Sequence, residues 1–111
     1  MICQSGDVVV VPFPFTDMTL TKVRPAVAVS SEDFSARHGH SILAMITTGT
    51  RSAWPTDVAI QDLAAAGLQF PSVVRWKLFT LVNAQIAARI GRLSLADRDG
   101  VVLASRSVLA F

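Results

Sequence analysis

The chain has 111 residues, of which 51% are hydrophobic and 16% are charged, and its formal net charge is +2. This length allows one domain with one core, and the charged fraction is low, since soluble domains carry about 25%. No apolar run approaches the roughly 18 residues that a membrane-spanning helix needs. The composition therefore gives no sign of a membrane-spanning helix and predicts a single domain over residues 1–111.

Cysteine content and the first residues bear on the compartment. Cys3 is the only cysteine, which precludes an internal disulfide and is typical of a reducing compartment. Residues 1–5 have neither the positive nor the apolar region of an export signal, so we expect a cytoplasmic protein. A small domain with this much apolar surface usually hides part of it against a partner, and we expect a homodimer.

Most of the chain is predicted to form short β-strands. The predicted strands are 7–15, 25–30, 41–48, 56–60, 72–81 and 86–93. Pro12 and Pro14 cannot donate to a ladder, so the far end of the first strand must lie at an edge or leave the sheet. Residues 16–23 are polar and predict a loop. Gly91 predicts a bulge or a close approach within the last strand.

Three helical segments are also predicted. Ser31 is expected to cap a short turn that ends at Gly39, and glycine stops a second turn over residues 62–67. Near the C-terminus, Ser94 with Asp97 three residues later resembles a capping box with Asp in place of Glu. Apolar residues then recur at helical spacings; they are Val101, Val102, Leu103, Val108 and Leu109.

Several short strands followed by one amphipathic helix predict an α+β, mainly β fold. The expected architecture is a small, strongly bent antiparallel sheet packed on the C-terminal helix. A closed or half-closed barrel is the natural form of such a sheet, because it leaves few strand edges unpaired.

Three segments in order resemble the MazF/PemK family of toxins, which includes Kid. They are residues 6–17 (GDVVVVPFPFTD), 22–30 (KVRPAVAVS) and 46–48 (ITT). The first two are most similar to the PemK-like branch, and fainter similarity extends over nearly the full chain. The resemblance implies an SH3-like barrel (the CcdB/MazF-like fold) with a C-terminal helix. It also implies a homodimeric, sequence-specific endoribonuclease toxin, an mRNA interferase, which cuts single-stranded RNA and is inhibited by a cognate antitoxin.

RNA cleavage without a metal can use the 2′-OH of the substrate as nucleophile. The enzyme then supplies a cation for the phosphate oxygens, a base for the 2′-OH and an acid for the leaving 5′-oxygen. We expect no cofactor and no metal. The close pair His38 and His40 has no carboxylate at an obvious ligand spacing, so a solvated loop is favoured over a weak metal site.

Arg24 is the first candidate catalytic residue. It ends a polar loop directly before Pro25, which favours extended backbone and places a guanidinium fork at a strand entrance. The resemblance implies that Arg24 is the family's catalytic arginine, which stabilises the phosphorane. The alternative from the residues alone is a structural ion pair with Asp7 or Asp17.

Thr47 is the second candidate catalytic residue. It directly follows Ile46, as in the family pattern, and it corresponds to the family's catalytic threonine. Alternation alone does not decide whether Thr47 or Thr48 faces a site, and β-branched residues favour strands in any case.

Five further residues are predicted to contact RNA: Lys22, Thr48, Trp54, Ser72 and Arg75. Some relatives have a functional arginine in the segment of Arg75 and an acidic general base two positions later, but here that position holds Lys77. The general base is then solvent together with Arg24, or it is Asp17 or Asp57. The remaining alternative is that this chain cleaves RNA slowly.

Ser72 and the two tryptophans have simpler interpretations as well. Ser72 can be an ordinary hydroxyl at a strand start. Trp54, near Arg51, and Trp76 can stack on unpaired bases, although burial is the more common fate of a tryptophan.

Two other functions are compatible with the same fold. One is a non-catalytic toxin like the gyrase poison CcdB, whose C-terminal residues, a tryptophan among them, carry the activity. The chain ends Val108–Phe111 without tryptophan and keeps Arg24 and Thr47, which favours RNA cleavage. The other is a catalytically degenerate member that only binds antitoxin, an alternative that Lys77 keeps open.

Overall fold

The computed structural model describes residues 1–12, 22–48 and 52–111. The strands are β1 (Asp7–Pro12), β2 (Val23–Ala28), β3 (His40–Thr47), β4 (Val58–Ala59), β5 (Val73–Val82) and β6 (Ala88–Arg92). The helices are α1 (Glu32–His38), α2 (Leu63–Ala66) and α3 (Leu95–Val108), and a 3₁₀ turn (Asn83–Gln85) lies between β5 and β6. None of the helices in these described ranges is long and apolar enough to span a bilayer.

All six strands form one antiparallel sheet in the order β4-β5-β3-β2-β1-β6. The sheet curls into a half-barrel that carries the C-terminal helix α3, so the predicted α+β, mainly β fold is confirmed in its half-closed form.

Each face of the sheet has its own hydrophobic core. The helix-side core contains Val8, Val27, Ala44, Ile46, Ile60, Ala66, Val74, Trp76, Leu93 and Val101. The barrel-side core contains Cys3, Val9, Val11, Ala26, Ala28, Leu43, Leu81 and Ile86. Consecutive strand residues such as Val8 and Val9 fall in different cores because side chains alternate between the faces of a strand.

Two irregularities bend the sheet. Between β3 and β5 the register jumps, since Ala44 pairs with Leu78 whereas Met45 pairs with Arg75. Between β1 and β6 the register shifts after Val8, which pairs with Gly91. Bulges of this kind increase local twist, which helps a sheet curl.

Gly91 combines the bulge with a close approach, as predicted. A Cβ atom at Gly91 would lie 2.3 Å from the carbonyl carbon of Ala66, and one at Gly67 would lie 2.0 Å from the carbonyl oxygen of Ile90. Gly67 also needs a positive φ of 73° to end α2. The two glycines therefore let the α2 backbone rest directly on β6.

Strand boundaries differ from the predicted ones at several ends. β2 begins at Val23, two residues before the predicted start, and it ends at Ala28 rather than at residue 30. β4 has only two residues, because the Asp57 amide donates to the Trp54 carbonyl and forms a turn where the strand was expected to begin. Residues 13–15 of the first predicted strand and most of the predicted 16–23 loop lie outside the described residues.

The predicted helix caps are confirmed at their N-terminal serines. The Ser31 hydroxyl accepts from the Phe34 amide at 3.0 Å, and Gly39 ends α1 with a φ of 65°. The Ser94 hydroxyl accepts from the Asp97 amide at 3.2 Å, so α3 begins where the sequence predicts.

The second half of the predicted capping box is wrong. The buried Asp97 carboxylate does not return to its own helix start but accepts the amides of Gln61 at 2.9 Å and Asp62 at 3.0 Å. Aspartate is one methylene shorter than the glutamate of a capping box, which favours the nearer amides of the neighbouring segment. Asp97 thus ties α3 to the start of α2.

The apolar pattern of α3 predicts a helix but not a uniformly buried one. Val101 is 8% exposed, whereas Val102 and Leu103 are 56% and 65% exposed. Consecutive helical residues are about 100° apart around the axis, so all three cannot face the sheet. α3 therefore covers the helix-side core with one stripe and leaves a second apolar stripe exposed.

We expect Gly91→Ala to lower the free energy of unfolding by about 1–3 kcal/mol, because its methyl group would overlap backbone atoms that cannot move aside. Urea unfolding followed by circular dichroism measures the change. Gly100→Ala is the control: its methyl would meet only a Val58 side-chain carbon, and alanine favours a helix by about 1 kcal/mol. A Gly91→Ala protein as stable as Gly100→Ala would contradict this account.

Candidate active site

The strand ends that carry the predicted site residues meet at one end of the sheet. β2 starts there, the antiparallel β3 ends there, and β5 starts there, since Thr47 pairs with Val73. Arg24 is the second residue of β2, Thr47 is the last residue of β3, and Arg75 lies near the start of β5. The antiparallel order therefore gathers residues that are far apart in sequence.

A cavity of about 180 Å³ opens between these strand ends. Its lining residues are Arg24, Met45, Ile46, Thr47, Arg75 and Lys77. We call it the cationic cavity, because the charged side chains among the described residues that line it are basic. Such a cavity suits an anionic ligand.

Arg24 and Thr47 lie on the same face of the sheet. Ala26 pairs with Met45, and Arg24 and Thr47 each lie two residues along their strands from this pair, so all four side chains share one face. Both residues also line the cationic cavity.

The same alternation separates the two threonines. Ile46 is buried in the helix-side core, so Thr47 faces the other way, where it lines the cationic cavity half-buried. Thr48 is exposed just beyond the end of β3 and is not among the residues that line the cavity.

The alternative ion pair between Arg24 and Asp7 is wrong. Asp7 is buried, and its Oδ1 accepts from Arg92 at 2.9 Å and lies 3.8 Å from Arg89. Arg24 pairs with Val11 near the other end of the β1–β2 ladder, which keeps it away from Asp7. Asp17, the other suggested partner, lies outside the described residues.

Arg75 lines the cavity but directs most of its donors elsewhere. Its Nε donates to Asp57 Oδ1 at 3.0 Å and its Nη2 donates to Asp57 Oδ2 at 2.9 Å, with both side chains 12% exposed. Nη2 also donates to the Ser52 carbonyl at 2.9 Å. The guanidinium hydrogen bonds lower the pKa of Asp57 below its ordinary value of 3.8, and the carboxylate raises the pKa of Arg75.

Trp54 is joined to this group through Arg75. The guanidinium carbon of Arg75 lies 5.3 Å from the centroid of the indole ring, within the range of a cation–π contact. Trp54 is 40% exposed, so it is not buried, whereas Trp76 is 8% exposed and belongs to the helix-side core. Arg51, which was expected beside Trp54, lies outside the described residues.

Two other predicted contacts flank the cavity without lining it. Lys22 is exposed directly before β2. Ser72 precedes β5, where its hydroxyl donates to the Phe70 carbonyl at 2.8 Å, as an ordinary strand-start hydroxyl does. Both lie at the cavity's end of the sheet.

The sequence indicated neither the pairing of Asp57 with Arg75 nor the place of Met45 in the cavity lining. Asp57 was considered as a general base, but a carboxylate held by two guanidinium hydrogen bonds with a lowered pKa is a weak base. Met45 lies two residues before Thr47 and lines the cavity, which strand alternation could have indicated.

Neither histidine contributes to the cavity. His38 ends α1 and His40 starts β3, at the other end of the sheet, where His40 Nδ1 lies 2.7 Å from the His38 carbonyl oxygen. Within the described ranges, no group of three or more His, Cys, Asp or Glu side chains is placed to hold a metal ion.

The class of fold is a curled antiparallel half-barrel with a C-terminal helix, and the site is a cationic cavity at one end of the sheet. Residues 4–109 match the family described as the PemK-like, MazF-like toxin of type II toxin–antitoxin systems. This chain belongs to that family. None of the curated proteins matches the sequence.

Three solved structures illustrate the similarity in fold. A mycobacterial endoribonuclease in complex with its cognate antitoxin has a TM-score of 0.76 and 17% identity, covering 99% of this chain and 95% of its own. The Mycobacterium tuberculosis toxin MazF-mt6 has a TM-score of 0.72 and 24% identity, covering 91% and 93%. MazF from Deinococcus radiodurans has a TM-score of 0.75 and 17% identity, covering 100% and 99%.

The Asp57–Arg75 pair predicts how the stability of the fold depends on pH. Because the pKa of Asp57 is lower in the folded state than in the unfolded chain, the pair stabilises the fold above about pH 3.8, and this contribution is lost as the pH falls through the lower folded value. We expect Asp57→Asn to melt below wild type by a constant margin from neutral pH to about pH 5. The margin should shrink in more acidic buffer, which thermal melts across pH measure; a margin that widens in acid would contradict the assignment.

Proposed function

We propose that this toxin is a metal-independent, sequence-specific endoribonuclease, an mRNA interferase that cleaves single-stranded RNA. The observation that carries the proposal is that Arg24 and Thr47 line one small cavity together with Arg75 and Lys77. Membership in the toxin family and the mycobacterial endoribonuclease of similar fold support the same reaction.

In the proposed reaction, the 2′-oxygen of the substrate attacks the adjacent phosphorus and the bond to the 5′-oxygen breaks. The guanidinium of Arg24 stabilises the charge that develops on the phosphate oxygens, and the Thr47 hydroxyl donates a hydrogen bond to one of them. Lys77 adds a third charge to the cavity lining. The proton of the 2′-OH passes to a base, and the leaving 5′-oxygen gains one, so the products are a 2′,3′-cyclic phosphate and a 5′-hydroxyl.

Two candidates remain for the general base that takes the proton of the 2′-OH. Lys77 stands where some relatives have an acidic residue, and Asp57 is committed to Arg75. The two that remain are solvent assisted by Arg24, and Asp17.

RNA on both sides of the cut phosphate would run across this end of the sheet. Lys22, Thr48 and Ser72 lie directly beside the strand ends that frame the cavity, and Trp54 adjoins it through Arg75. Their positions support phosphate and base contacts beyond the reacting group, which is how single-stranded RNA is held.

We further propose two protein partners. One is a cognate antitoxin, since MazF of Deinococcus radiodurans and the mycobacterial endoribonuclease were each solved with one. The other is a second copy of this chain. A groove of about 440 Å³ between α3 and the sheet is lined largely by apolar side chains, among them Leu78, Val102 and Phe111, and exposed apolar patches of this kind mark interfaces.

A cytoplasmic location follows from the proposed substrate. Messenger RNA is translated there, and an mRNA interferase must meet it in the same compartment.

We expect Arg24→Ala to reduce the cleavage rate about 10²–10³-fold while leaving the fold intact, because it removes a donor aimed at the developing charge. Cleavage of a long RNA by purified protein measures the rate. Arg37→Ala is the matched control, since Arg37 is an exposed arginine on α1 at the other end of the sheet. Undiminished cleavage by Arg24→Ala would remove this residue from the mechanism.

The reaction route predicts the chemistry of the products. We expect fragments that end in a 2′,3′-cyclic phosphate, formed at the same rate with or without EDTA, because the ribose supplies the nucleophile and the side chains supply the charge. Mass spectrometry of the cut ends identifies the terminus and the cleavage sequence together. Activity that disappears in EDTA would refute the metal-independent route, and a wild-type protein that cuts no RNA would indicate a degenerate or protein-binding toxin.

A further inference from the structure

The loop of residues 52–57, the clamp loop, is fixed to β5 by one side chain. Arg75 holds the Asp57 carboxylate through two hydrogen bonds of 3.0 and 2.9 Å and the Ser52 carbonyl through one of 2.9 Å. A weaker contact of 3.4 Å joins its Nη1 to the Ser52 hydroxyl. Arg75 therefore fastens both ends of the clamp loop at once.

Trp54 sits in the middle of the clamp loop, where the same contacts orient it. Its amide donates to Asp57 Oδ2 at 2.9 Å, and its carbonyl accepts from the Asp57 amide at 3.0 Å. The Arg75 guanidinium lies over the indole at 5.3 Å from the ring centroid. The backbone and the ring of Trp54 are thus both held by the Asp57–Arg75 pair.

This held indole is nevertheless 40% exposed. Leaving a large aromatic ring in water gives up the stabilisation that burial would provide. Its fixed orientation beside the cationic cavity provides a preformed flat surface instead, and a flat exposed ring is what an unpaired nucleobase stacks on.

Arg75 is less suited to grip phosphate than the sequence implied. The Nε and Nη2 edge of its fork is occupied by Asp57, and Nη2 also bonds Ser52. What it offers the cavity is positive charge, while its planar face supports Trp54.

We propose that Trp54, supported by Arg75 and oriented by Asp57, forms a stacking subsite for the nucleobase next to the phosphate held in the cationic cavity. Asp57 is then a positioning residue and Trp54 a substrate-binding one. The proposal rests on the proposed ribonuclease function and adds a determinant of how the RNA is bound. An RNA base is favoured over a protein segment because one guanidinium both lines the cationic cavity and backs the indole.

Trp54 fluorescence tests the subsite directly. The chain has two tryptophans, and the Trp54→Phe protein reports the contribution of the buried Trp76, which is subtracted. The probes are short 2′-O-methyl homopolymers, one for each base, which the enzyme cannot cut because the nucleophile is blocked. We expect them to quench the indole, whereas an abasic oligomer of the same length does not.

Equal quenching by the abasic oligomer would overturn the proposal, because the indole would then sense phosphate rather than a base. An indole that no oligonucleotide quenches would belong to a protein-binding surface, which overturns it as well.

Substitution of Trp54 tests its role in the reaction. We expect Trp54→Ala to raise the KM for a short RNA substrate about tenfold with kcat nearly unchanged, within the range found for loss of one stacked base. Trp54→Phe should restore most of the affinity because it keeps an aromatic face. An unchanged KM in Trp54→Ala, while wild type still cuts and Arg24→Ala does not, would overturn the subsite and leave the nuclease proposal standing.

The Asp57→Asn variant distinguishes two possible roles of Arg75, because one predicts tighter RNA binding and the other predicts weaker RNA binding. If Asp57 merely restrained a phosphate-binding arginine, neutralising it would free positive charge and tighten RNA binding. If Asp57 orients the stacking surface, binding weakens, and little further weakening appears when Asp57→Asn is combined with Trp54→Ala. We expect the second result, measured as oligonucleotide affinity with protein that circular dichroism confirms is folded. Tighter binding would overturn the positioning role.

Discussion

The pairing register of β2, β3 and β5 is the constraint on which the site depends. Met45 faces Ala26 on one side and Arg75 on the other, and this places the side chains of Arg24, Thr47 and Arg75 around one cavity. A slip of one residue would turn the Thr47 side chain away from the cavity and toward the helix-side core. The burial of Ile46 opposes such a slip, so the packing of the core also fixes the chemistry of the opposite face.

Three basic side chains line the cavity at this end of the sheet, and their surroundings differ. Asp57 accepts two hydrogen bonds from Arg75, and this pair serves mainly to hold the clamp loop. Arg24 and Lys77 are the other basic residues among the described residues that line the cavity. The described lining therefore combines positive charge, which suits an anionic ligand, with one guanidinium whose geometry is fixed in advance.

Contacts far from the cavity maintain the curvature that brings the strand ends together. Asp7 binds Arg92 and so fastens the start of β1 to the end of β6. Asp97 binds two backbone amides and ties α3 to the segment before α2. The close contact of Gly67 with Ile90 places α2 directly on β6. These buried polar and glycine contacts are specific in geometry, so they fix one curled shape where apolar packing alone allows several.

The sequence by itself determined the strands and helices, the mainly β fold and the caps at Ser31 and Ser94, because these follow from local periodicity and turn residues. Together with a family resemblance, it also placed Arg24 and Thr47 at strand ends. Only the tertiary structure decided that Asp7 pairs with Arg92 and that Arg75 is held by Asp57. It also decided that Thr47 rather than Thr48 faces the cavity. Finally, it directed the Asp97 carboxylate to amides outside its own helix. Such choices depend on contacts across the sheet, between residues as far as 85 positions apart, and a chain read locally has no means of ranking them.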